Sequence, residues 1–414
     1  MPSSVKSQPS SLEGWLSYLE SIHPASIEMG LERIRRVYDL LQLDLSATRV
    51  ITVAGTNGKG TTCAMLEQAM LQLGQSVAVY SSPHIVDYRE RLRVNGAMLD
   101  EPAHCQAFAA VEKARGDISL TYFEFGTLAA LYLIALQKPQ NAILEVGLGG
   151  RLDAVNIVEP DLSIITTIDL DHQDWLGDSR EKIAIEKAGI VREGGRVVIG
   201  EPNPPQSLKQ RMGQLHANAL WRHQDFDCQV TTSGFQWQGM GLELKDAPVP
   251  NIPAANAATA VAALAVLGLY AQLDMPRLFQ DTRLPGRCQL IQRSPDVLLD
   301  VGHNPEAVRY LVSQLTSRTW QQLHLVVGML KDKDIAATLA PLSVFDANWY
   351  LAPLPGPRGA TTKQLLEKLP SAQSVIECSS VIAALNKAKQ AAGADDLILV
   401  FGSFLTVAEV LAAP

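Results

Sequence analysis

The chain has 414 residues, of which 47% are hydrophobic and 19% are charged, proportions that are typical of a globular protein and exclude a largely disordered one. This length exceeds what one hydrophobic core usually serves, so we expect two domains. The formal net charge of -8 argues against a broad nucleic-acid-binding surface, and any anionic ligand must be met by local positive groups.

The amino-terminal sequence MPSSVKSQPSS is polar and has no apolar core of a signal peptide. The five cysteines are scattered and none forms a C-x-x-C pair, which fits a reducing compartment. The most apolar long segment, residues 254–270, is rich in alanine and contains Asn256 and Thr259, so we interpret it as a buried helix rather than a membrane span. We therefore expect a soluble, cytoplasmic protein, with neither nucleic acid nor a membrane among its partners.

Apolar, β-branched runs alternate with helical spacing through the first half of the chain, which predicts successive strands and helices. The strand-like runs are RVITVA (49–54), SVAVY (76–80), AILEV (142–146), SIITTI (163–168) and RVVIG (196–200). Helical spacing marks residues 63–73 and 125–136. This order indicates an α/β fold with a mostly parallel sheet and helices on both faces.

The alternating segment 226–245 contains glycine turns and predicts hairpins at the edge of that sheet, and a helix is predicted from about Ala254 to Leu267. After RLPGRCQ (283–289) a second series of strands and helices begins. Its predicted strands are DVLLDV (296–301), HLVVGM (324–329), NWYLA (348–352), SVIE (374–377) and DLILVF (396–401). We therefore expect one α/β domain over residues 1–282 and a second, Rossmann-like α/β domain over residues 283–414.

The segment AGTNGKGTT (54–62) follows the first predicted strand and opens into the first predicted helix. In that context, glycines allow backbone N–H groups to turn toward a phosphate, and the helix N-terminus adds partial positive charge. Lys59 can reach the β- and γ-phosphates, and a threonine hydroxyl can bind Mg²⁺. The common pattern G-x-x-x-x-G-K-[ST] is not met, because Val53 stands where its first glycine would and Gly60 follows Lys59. We interpret the segment as an adapted phosphate loop, which makes the first domain P-loop ATPase-like.

Two other kinds of nucleotide site fit less well. A GTPase would need the element N-K-x-D, whereas the nearest string is NKAK (386–389), so ATP is preferred to GTP. A dinucleotide site would need a third glycine in VGLGGRLD (146–153), where Leu152 stands instead.

Polar side chains follow several of the predicted strands, whose C-terminal ends meet at one crevice in a parallel sheet. These residues are Glu145 at the end of AILEV, Ser82 and His84 after SVAVY, and Asp169, Asp171 and His172 after SIITTI. Glu145 stands where an acidic Mg²⁺ ligand would lie. Two roles are open to His172, a structural hydrogen bond and metal binding. Like the other polar residues named here, it follows a predicted strand, and this common placement favours metal binding. Lys187 would repel Mg²⁺ unless chemical conversion made it an anion.

Several longer motifs occur in order along the chain. They are GTNGKGTT (55–62), SSPHIVDYRERLRVNG (81–96), TYFEFGTL (121–128), LEVGLGGRLDAVN (144–156), DLDHQDWLG (169–177), EKAGI (186–190), LPGR (284–287) and LDVGHNP (299–305). Together they resemble the folylpolyglutamate synthase family, and especially its bacterial bifunctional form that is also a dihydrofolate synthase, within the Mur ligase superfamily. The resemblance extends from SLEGWLSYLESIHP (11–24) to GSFLTV (402–407), which is nearly the whole chain.

The resemblance implies which residues form each part of the site. For ATP it implies the loop residues Gly55, Thr56, Asn57, Gly58, Lys59, Gly60, Thr61 and Thr62, with Asn256 at the adenine and Arg287, Asp300 and His303 from the second domain. For Mg²⁺ it implies Thr61, Ser82, Glu145 and His172, with Thr62 a rival to Thr61 because Gly60 shifts the register. For the pteroate pocket it implies Phe123 and Asp153. The expected catalytic residues are Lys59, His172, Lys187 and Arg287, and Lys187 is expected to be carbamylated.

The resemblance also implies an acyl-phosphate route to an amide. The substrate carboxylate would attack the γ-phosphate of ATP, and the amine of L-glutamate would then attack the acyl carbon. The expected acceptors are dihydropteroate and folate mono- and polyglutamates, and the expected oligomeric state is a monomer. Two alternatives stay open. One is a peptidoglycan Mur ligase, which is less expected because its N-terminal domain for a uridine nucleotide would have to precede the phosphate loop at Gly55. The other is an ATP-binding regulatory module without ligase activity.

Arg89, Arg91 and Arg93 alternate with other residues in YRERLRVNG. A solvated edge strand explains this pattern. The resemblance instead implies a mobile loop beside the folate site, where arginines would suit an anionic pteroate or polyglutamate tail.

Overall fold

The computed structural model describes residues 9–23, 28–369 and 374–413. Their contacts divide the chain into two compact units. The first unit takes in the described residues of Met1–Ser82 and Arg89–Arg283, and the second unit takes in those of Pro83–Tyr88 and Leu284–Pro414. The grouping of the short segment Pro83–Tyr88 with the second unit has no counterpart in the domain limits expected from the sequence.

The first unit contains a mostly parallel sheet, which confirms the predicted α/β class. Among the described residues its strand order is β4-β3-β2-β5-β1-β6-β7-β8, and β2 to β8 of that order pair in parallel. The strands are β1 (Arg49–Ala54), β2 (Val77–Tyr80), β3 (Leu92–Val94), β4 (Ala97–Met98), β5 (Asn141–Glu145), β6 (Leu162–Ile165), β7 (Arg196–Ile199) and β8 (Asn218–Trp221). Strands β1, β2, β5 and β6 are almost fully buried because helices cover both faces, and for this reason they read as continuous apolar runs.

The first unit contains the helices that the spacing of residues 63–73 and 125–136 predicts, and several of its helices begin at side-chain caps. The α-helices are α1 (Leu12–Ser21), α2 (Glu32–Leu41), α3 (Lys59–Gln72), α4 (Glu101–Arg115), α5 (Tyr122–Gln137), α6 (Gln173–Leu176), α7 (Arg180–Ala188), α8 (Gln206–Gln214), α9 (Ala254–Val266) and α10 (Met275–Asp281). Helix α5 begins at a capping box formed by Thr121 and Glu124. The alanine-rich helix α9 is buried along most of its length against α3, as its composition predicts.

The segment predicted as edge hairpins forms a separate antiparallel sheet, so that part of the prediction was wrong. Its strands are β9 (Phe226–Thr231), β10 (Gly234–Gly239) and β11 (Leu242–Ala247), in the order β11-β10-β9. The buried side chains of Phe235 and Trp237 belong to the same core cluster as α9, and Trp237 Nε1 donates to Ala258 O at 3.1 Å. These aromatic side chains attach the hairpins to a helix, while β8 ends the large sheet.

The second unit is a Rossmann-like sheet in the order β12-β13-β17-β14-β15-β16, in which only the β12–β13 pairing is antiparallel among the described residues. Its strands are β12 (Gln289–Gln292), β13 (Asp296–Asp300), β14 (Leu323–Val327), β15 (Ala347–Leu351), β16 (Ser374–Glu377) and β17 (Leu397–Phe401). Its α-helices are α11 (Pro305–Thr316), α12 (Ile335–Leu339), α13 (Thr362–Lys368), α14 (Val381–Ala391) and α15 (Phe404–Leu411). Strand β12 begins at the last residue of the boundary segment RLPGRCQ (283–289) and was not predicted from the sequence.

Helices α11, α12 and α13 pack on one face of this second sheet, and α14 and α15 pack on the other. Strand β17 lies between β13 and β14. The helices that follow β13 and β14 cover one face of the sheet, whereas α15, which follows β17, covers the other. In open α/β sheets a ligand crevice lies outside the carboxyl ends of the strands at such a reversal. The loops after β13 and β17 are consequently the candidate ligand-binding loops of this unit.

Across the residues that the structure describes, no helix is both long enough and apolar enough to cross a bilayer.

Candidate active site

The loop between β1 and α3 has the backbone form of a phosphate loop. Gly58 caps α3 in the left-handed region, with φ 84°, where a side chain would be strained. A Cβ atom at Gly58 would collide with the Asn256 side-chain amide, and one at Gly55 would collide with the Thr166 hydroxyl. Both glycines are therefore required by close packing as well as by backbone conformation.

Two backbone N–H groups of this loop bond to a neighbouring loop, which differs from the expected arrangement around a phosphate. Thr56 N donates to Thr167 O at 2.8 Å, and Asn57 N donates to Thr167 Oγ1 at 3.0 Å. The Thr166 hydroxyl donates to Asn57 O at 2.6 Å. The Thr56 hydroxyl accepts from Asp169 N and donates to Asp169 O, both at 3.0 Å. Thr56 and Asn57 thus join the phosphate loop to the segment that leads to His172.

The Lys59 ammonium lies over its own loop. Lys59 Nζ donates to Gly55 O at 2.9 Å and to Thr56 O at 3.3 Å. The positive charge is therefore placed at the N-terminus of α3, where the helix dipole also favours an anion.

The two threonines after Gly60 have different environments. Thr61 Oγ1 donates to Gly58 O at 3.0 Å and accepts from Asn256 Nδ2 at 2.8 Å. Thr62 is fully buried, and its hydroxyl has no hydrogen-bond partner among the described residues. Asn256, which the resemblance placed at the adenine, is 7% exposed and directs its amide to Thr61.

Some of the expected metal ligands lie together. Strands β2 and β5 are neighbours, and Ser82 N, just after β2, donates to Glu145 Oε2 at 3.3 Å. The Ser82 hydroxyl and the Glu145 carboxylate are oxygen ligands of the kind that Mg²⁺ prefers. His172 lies in the left-handed region, with φ 51°, and its Nε2 is 3.9 Å from Asp171 Oδ2. A left-handed backbone at a non-glycine residue is uncommon and is concentrated at functional sites.

Within residues 9–23, 28–369 and 374–413, no three His, Cys, Asp or Glu side chains lie together as a metal-binding group. The expected ligand set would not form such a group, because only Glu145 and His172 are of these types and the other two ligands are hydroxyls. The residues present therefore fit a hard cation with oxygen ligands better than a zinc-type site.

Lys187 is 3% exposed near the end of α7. The turn after β5 packs on this part of the helix: Arg151 N donates to Glu186 O at 2.7 Å, and a Cβ atom at Gly150 would lie 3.2 Å from the Lys187 Cα atom. This packing brings the segment that follows Glu145 next to the turn of α7 that carries Lys187.

Phe123 and Asp153 meet at the turn after β5. The Phe123 ring lies against Gly147 and stacks at 6.2 Å on the ring of Tyr80. Asp153 is 5% exposed and accepts from Leu148 N at 2.7 Å and from Val155 N at 3.1 Å. Burial raises the pKa of Asp153 to about 6, although these backbone hydrogen bonds act in the opposite direction.

In the second unit, Asp300 binds two turns of its own backbone. Its Oδ2 accepts from Cys288 N at 2.9 Å and its Oδ1 accepts from Gly302 N at 2.7 Å. Asp300 thereby ties the turn that carries Arg287 to the turn that carries His303. His303 Nδ1 is 2.9 Å from Val301 O, a contact that helps to orient the imidazole.

Comparisons with known proteins identify the family of this chain. Residues 53–266 match the Mur ligase middle domain, and residues 286–404 match the Mur ligase, glutamate ligase domain. The chain is 47% identical over 404 residues to the dihydrofolate synthase/folylpolyglutamate synthase of Escherichia coli strain K12, a match that covers 97% of this chain and 95% of that protein. The chain belongs to the dihydrofolate synthase/folylpolyglutamate synthase family of Mur ligases.

Solved structures of the dihydrofolate synthase/folylpolyglutamate synthase family share the fold. Escherichia coli FolC in complex with DHPP and ADP matches with a TM-score of 0.92 and 46% identity, over 98% of this chain and 97% of that one. A bifunctional folylpolyglutamate synthase/dihydrofolate synthase with Mn, AMPPNP and L-glutamate bound matches with a TM-score of 0.90 and 48% identity, over 98% and 99% of the two chains. The fold class, the family and the enzyme class predicted from the sequence are confirmed.

Thr166 and Thr167 support the phosphate loop, and the sequence did not predict this role for them. The apolar run SIITTI predicts one strand, whereas β6 ends at Ile165 and both threonines belong to the following loop. Their hydroxyls hold Asn57. Consecutive polar residues at the end of an otherwise apolar run were the available signal, because loops at the carboxyl ends of parallel strands carry site residues.

Proposed function

We propose that this chain joins L-glutamate to dihydropteroate, and also to the γ-carboxyl group of folate mono- and polyglutamates, with ATP as the energy source. One observation carries the proposal: the phosphate loop is hydrogen-bonded through Thr56 to Asp169, at the carboxyl edge of the same sheet on which Ser82 lies against Glu145. The groups that we assign to phosphate and to metal thus lie at one edge of this sheet. The nucleotides, DHPP and L-glutamate held by solved relatives support the choice of substrates.

Amide formation in water requires an oxygen of the carboxyl group to become a better leaving group. In the proposed reaction the acceptor carboxylate attacks the γ-phosphorus of ATP, ADP leaves, and an acyl phosphate forms. The amine of glutamate then attacks the acyl carbon, and the tetrahedral intermediate collapses with loss of inorganic phosphate and of the amine proton. Such chemistry depends mainly on positioning and on the stabilisation of developing charge.

Lys59 is the residue of this chain best placed to stabilise that charge. Its ammonium donates to the carbonyl oxygens of Gly55 and Thr56, and phosphate oxygens are stronger acceptors that would replace them. We assign Arg287, Asp300 and His303 to nucleotide binding from the second unit, with Asp300 acting through the two turns that it holds. We assign Asn256 to the phosphate loop through Thr61, in place of a contact with adenine.

Mg²⁺, when bound, would neutralise phosphate charge and polarise the γ-phosphorus. We assign Thr61, Ser82, Glu145 and His172 to it. Thr61 is preferred to Thr62 because the Thr62 hydroxyl is fully buried. We propose that Lys187, which is 3% exposed, is converted to a carbamate, because an ammonium would repel Mg²⁺ whereas a carbamate is an anion. A carbamate signal from ¹³C-labelled bicarbonate that disappears in Lys187→Arg would support that assignment; no signal in the unaltered protein would contradict it.

Phe123 and Asp153 are assigned to the pteroate end of the acceptor. The Phe123 face offers an aromatic stacking surface, and Asp153, with its pKa of about 6, offers a carboxyl group for ring nitrogens. We further propose that the protein acts as a monomer in the cytoplasm. Sedimentation of the purified chain with and without substrates tests the oligomeric state.

The proposed function is tested with two acceptors in separate reactions. Purified chain, ATP, Mg²⁺ and L-glutamate are combined with dihydropteroate in one and with a reduced folate monoglutamate in the other, and products are identified by mass. Product from both acceptors is expected, and product from one narrows the function to that step. If neither acceptor reacts while a uridine-linked peptide does, the protein is a peptidoglycan ligase. ATP binding without any amide product would indicate a regulatory module.

A further inference from the structure

Phe404 and His303 occupy equivalent positions beyond two paired strands. In the parallel pair β13–β17, Asp300 lies opposite Phe401. His303 follows Asp300 by the same number of residues as Phe404 follows Phe401, so both leave the sheet at the same edge. This is the edge at which the following helices, α11 and α15, depart to opposite faces of the sheet. Phe404 lies in GSFLTV (402–407), where the resemblance to the family ends, and no role is predicted for it from the sequence.

The Phe404 ring lies close to the side chains of Arg287 and His303. The Arg287 guanidinium carbon lies 5.6 Å from the ring centroid, within the range of a cation–π interaction. The His303 ring lies 6.1 Å from the same centroid and is inclined to it by 55°. Both distances lie in the range at which aromatic faces and edges attract each other or a cation.

Hydrogen bonds and close packing constrain the backbone around Phe404. Ser403 is 3% exposed and caps α15, accepting from Leu405 N at 3.1 Å. Thr406 Oγ1 donates to Gly328 O at 2.7 Å, and Gly402 has φ 112° at a point where a Cβ atom would lie 2.6 Å from Gly328 O. The first turn of α15 is therefore held to the end of β14, and the Phe404 ring has a defined position while remaining partly exposed.

We propose that Phe404 is a positioning residue that sets the orientation of the Arg287 guanidinium and the His303 imidazole. This rests on the proposed function, in which those two side chains serve the nucleotide. An aliphatic side chain would fill much of the same space but would offer no π face to the guanidinium. The ring therefore limits the conformations of Arg287 before any ligand binds, which lowers the entropy cost of the reactive arrangement.

The kinetic test compares Phe404→Leu with Phe404→Tyr, which keeps the ring, and with Leu405→Ala, a control at the exposed neighbour. Phe404→Leu is expected to lower kcat by about 3- to 30-fold, the factor that a cation–π contact of this type is worth, with little change in the melting temperature. Phe404→Tyr and Leu405→Ala should retain at least half of the activity. Phe404→Met, which keeps more of the side-chain length, serves the same purpose if the leucine variant does not fold.

A merely structural role would not depend on Arg287, so a double-mutant cycle separates the two explanations. In an Arg287→Ala background, Phe404→Leu should change kcat by less than about twofold, because the cation is absent. An equal loss in both backgrounds, or no loss in Phe404→Leu, would overturn the proposal.

A measurement that does not depend on catalysis distinguishes a failure of this proposal from a failure of the proposed function. The His303 imidazole proton resonance, identified by its disappearance in His303→Gln, should shift in Phe404→Leu and stay near its original position in Leu405→Ala. An unmoved resonance would contradict the assigned contact even in an active enzyme. Failure of the unaltered protein to make any amide, with the shift present, would instead refute the ligase function and leave the contact established.

Discussion

Asn256 shows how a single side chain can shape the phosphate loop from a distant part of the chain. It lies against Gly58 and donates to the Thr61 hydroxyl at 2.8 Å, although it is 195 positions away from Thr61 in sequence. Because Asn256 is buried, this bond is protected from water and helps to hold the first turn of α3.

Asn256→Ala is expected to raise the KM for ATP and to lower the free energy of unfolding by about 1–2 kcal/mol, because the Thr61 hydroxyl loses its donor. Steady-state kinetics and urea unfolding measure the two effects. Asn251→Ala, which removes an exposed asparagine bonded to Gln280 O, is the matched control. An unchanged KM in Asn256→Ala would show that the loop does not need this bond.

Asp153 is expected to make the free energy of unfolding decrease as the pH rises. Its pKa in the folded protein is about 6, above the ordinary value of 3.8, because burial disfavours the carboxylate. The folded state therefore binds more protons than the unfolded state between these two values. The contribution of Asp153 to stability is fully present below about pH 4 and is lost as the pH rises through about 6.

Comparing the protein with Asp153→Asn isolates this contribution. The difference in unfolding free energy between the two proteins should change by about 2 kcal/mol from pH 4 to pH 7, in favour of the asparagine variant at the higher pH. Urea unfolding at several pH values measures it. A difference that stays constant over this range would contradict a raised pKa at Asp153.

Helix α3 and strand β3 are joined by an ion pair that the sequence did not predict. Arg93 Nη2 is 2.7 Å from Glu67 Oε2, and the two side chains are 21% and 5% exposed. The expected alternatives for Arg93 were a solvated edge strand or an anion-binding loop. The structure places it in β3 and pairs it with the helix that begins at the phosphate loop. Arg91 lies over the Tyr122 ring at 5.5 Å.

Arg93→Met should destabilise the first unit by about 3 kcal/mol, because the buried Glu67 carboxylate would lose its partner. The double variant with Glu67→Leu should recover part of this loss. Arg293→Met removes an exposed pair with Asp296 and should cost less than about 1 kcal/mol. Chemical unfolding compares all three; equal costs for the two single variants would show that burial of Glu67 is unimportant.

The first of the two compact units carries most of the residues proposed to bind ATP and Mg²⁺, so these ligands are expected to stabilise it. The phosphate loop, Ser82, Glu145 and His172 all belong to the first unit. A ligand that binds only the folded state stabilises it by about 2.7 kcal/mol at a concentration of 100 times its Kd.

A nonhydrolysable ATP analogue with Mg²⁺ is therefore expected to raise the midpoint of thermal unfolding. Lys59→Met should remove most of this rise, because the ammonium at the start of α3 is lost, while Lys182→Met, at an exposed lysine of α7, should retain it. Differential scanning calorimetry measures the shifts. Equal shifts in all three proteins would place the nucleotide away from this loop.

The sequence was sufficient for the fold class, the family and most of the parallel strands. Strands buried on both faces must be apolar along their length, so RVITVA and DLILVF were recognisable without structural information. The glycines of the phosphate loop were equally recognisable, because only glycine tolerates the backbone of Gly58 and the close approach at Gly55. These features depend on residues that are close together in the sequence, so the sequence is enough to predict them.

Only the tertiary structure decided which side chains hold the site residues. Thr167 is hydrogen-bonded to Asn57, Asn256 to Thr61, and Asp300 to the backbone of Cys288. The residues of each pair are separated in sequence and meet only because particular strands and helices are neighbours. Hydrogen bonds have short range and strict geometry, so they are specified only after the sheet order is established. The separate sheet of β9, β10 and β11 could not be predicted for the same reason. A period-two pattern shows which face of a strand is buried, but it does not show which part of the protein covers that face.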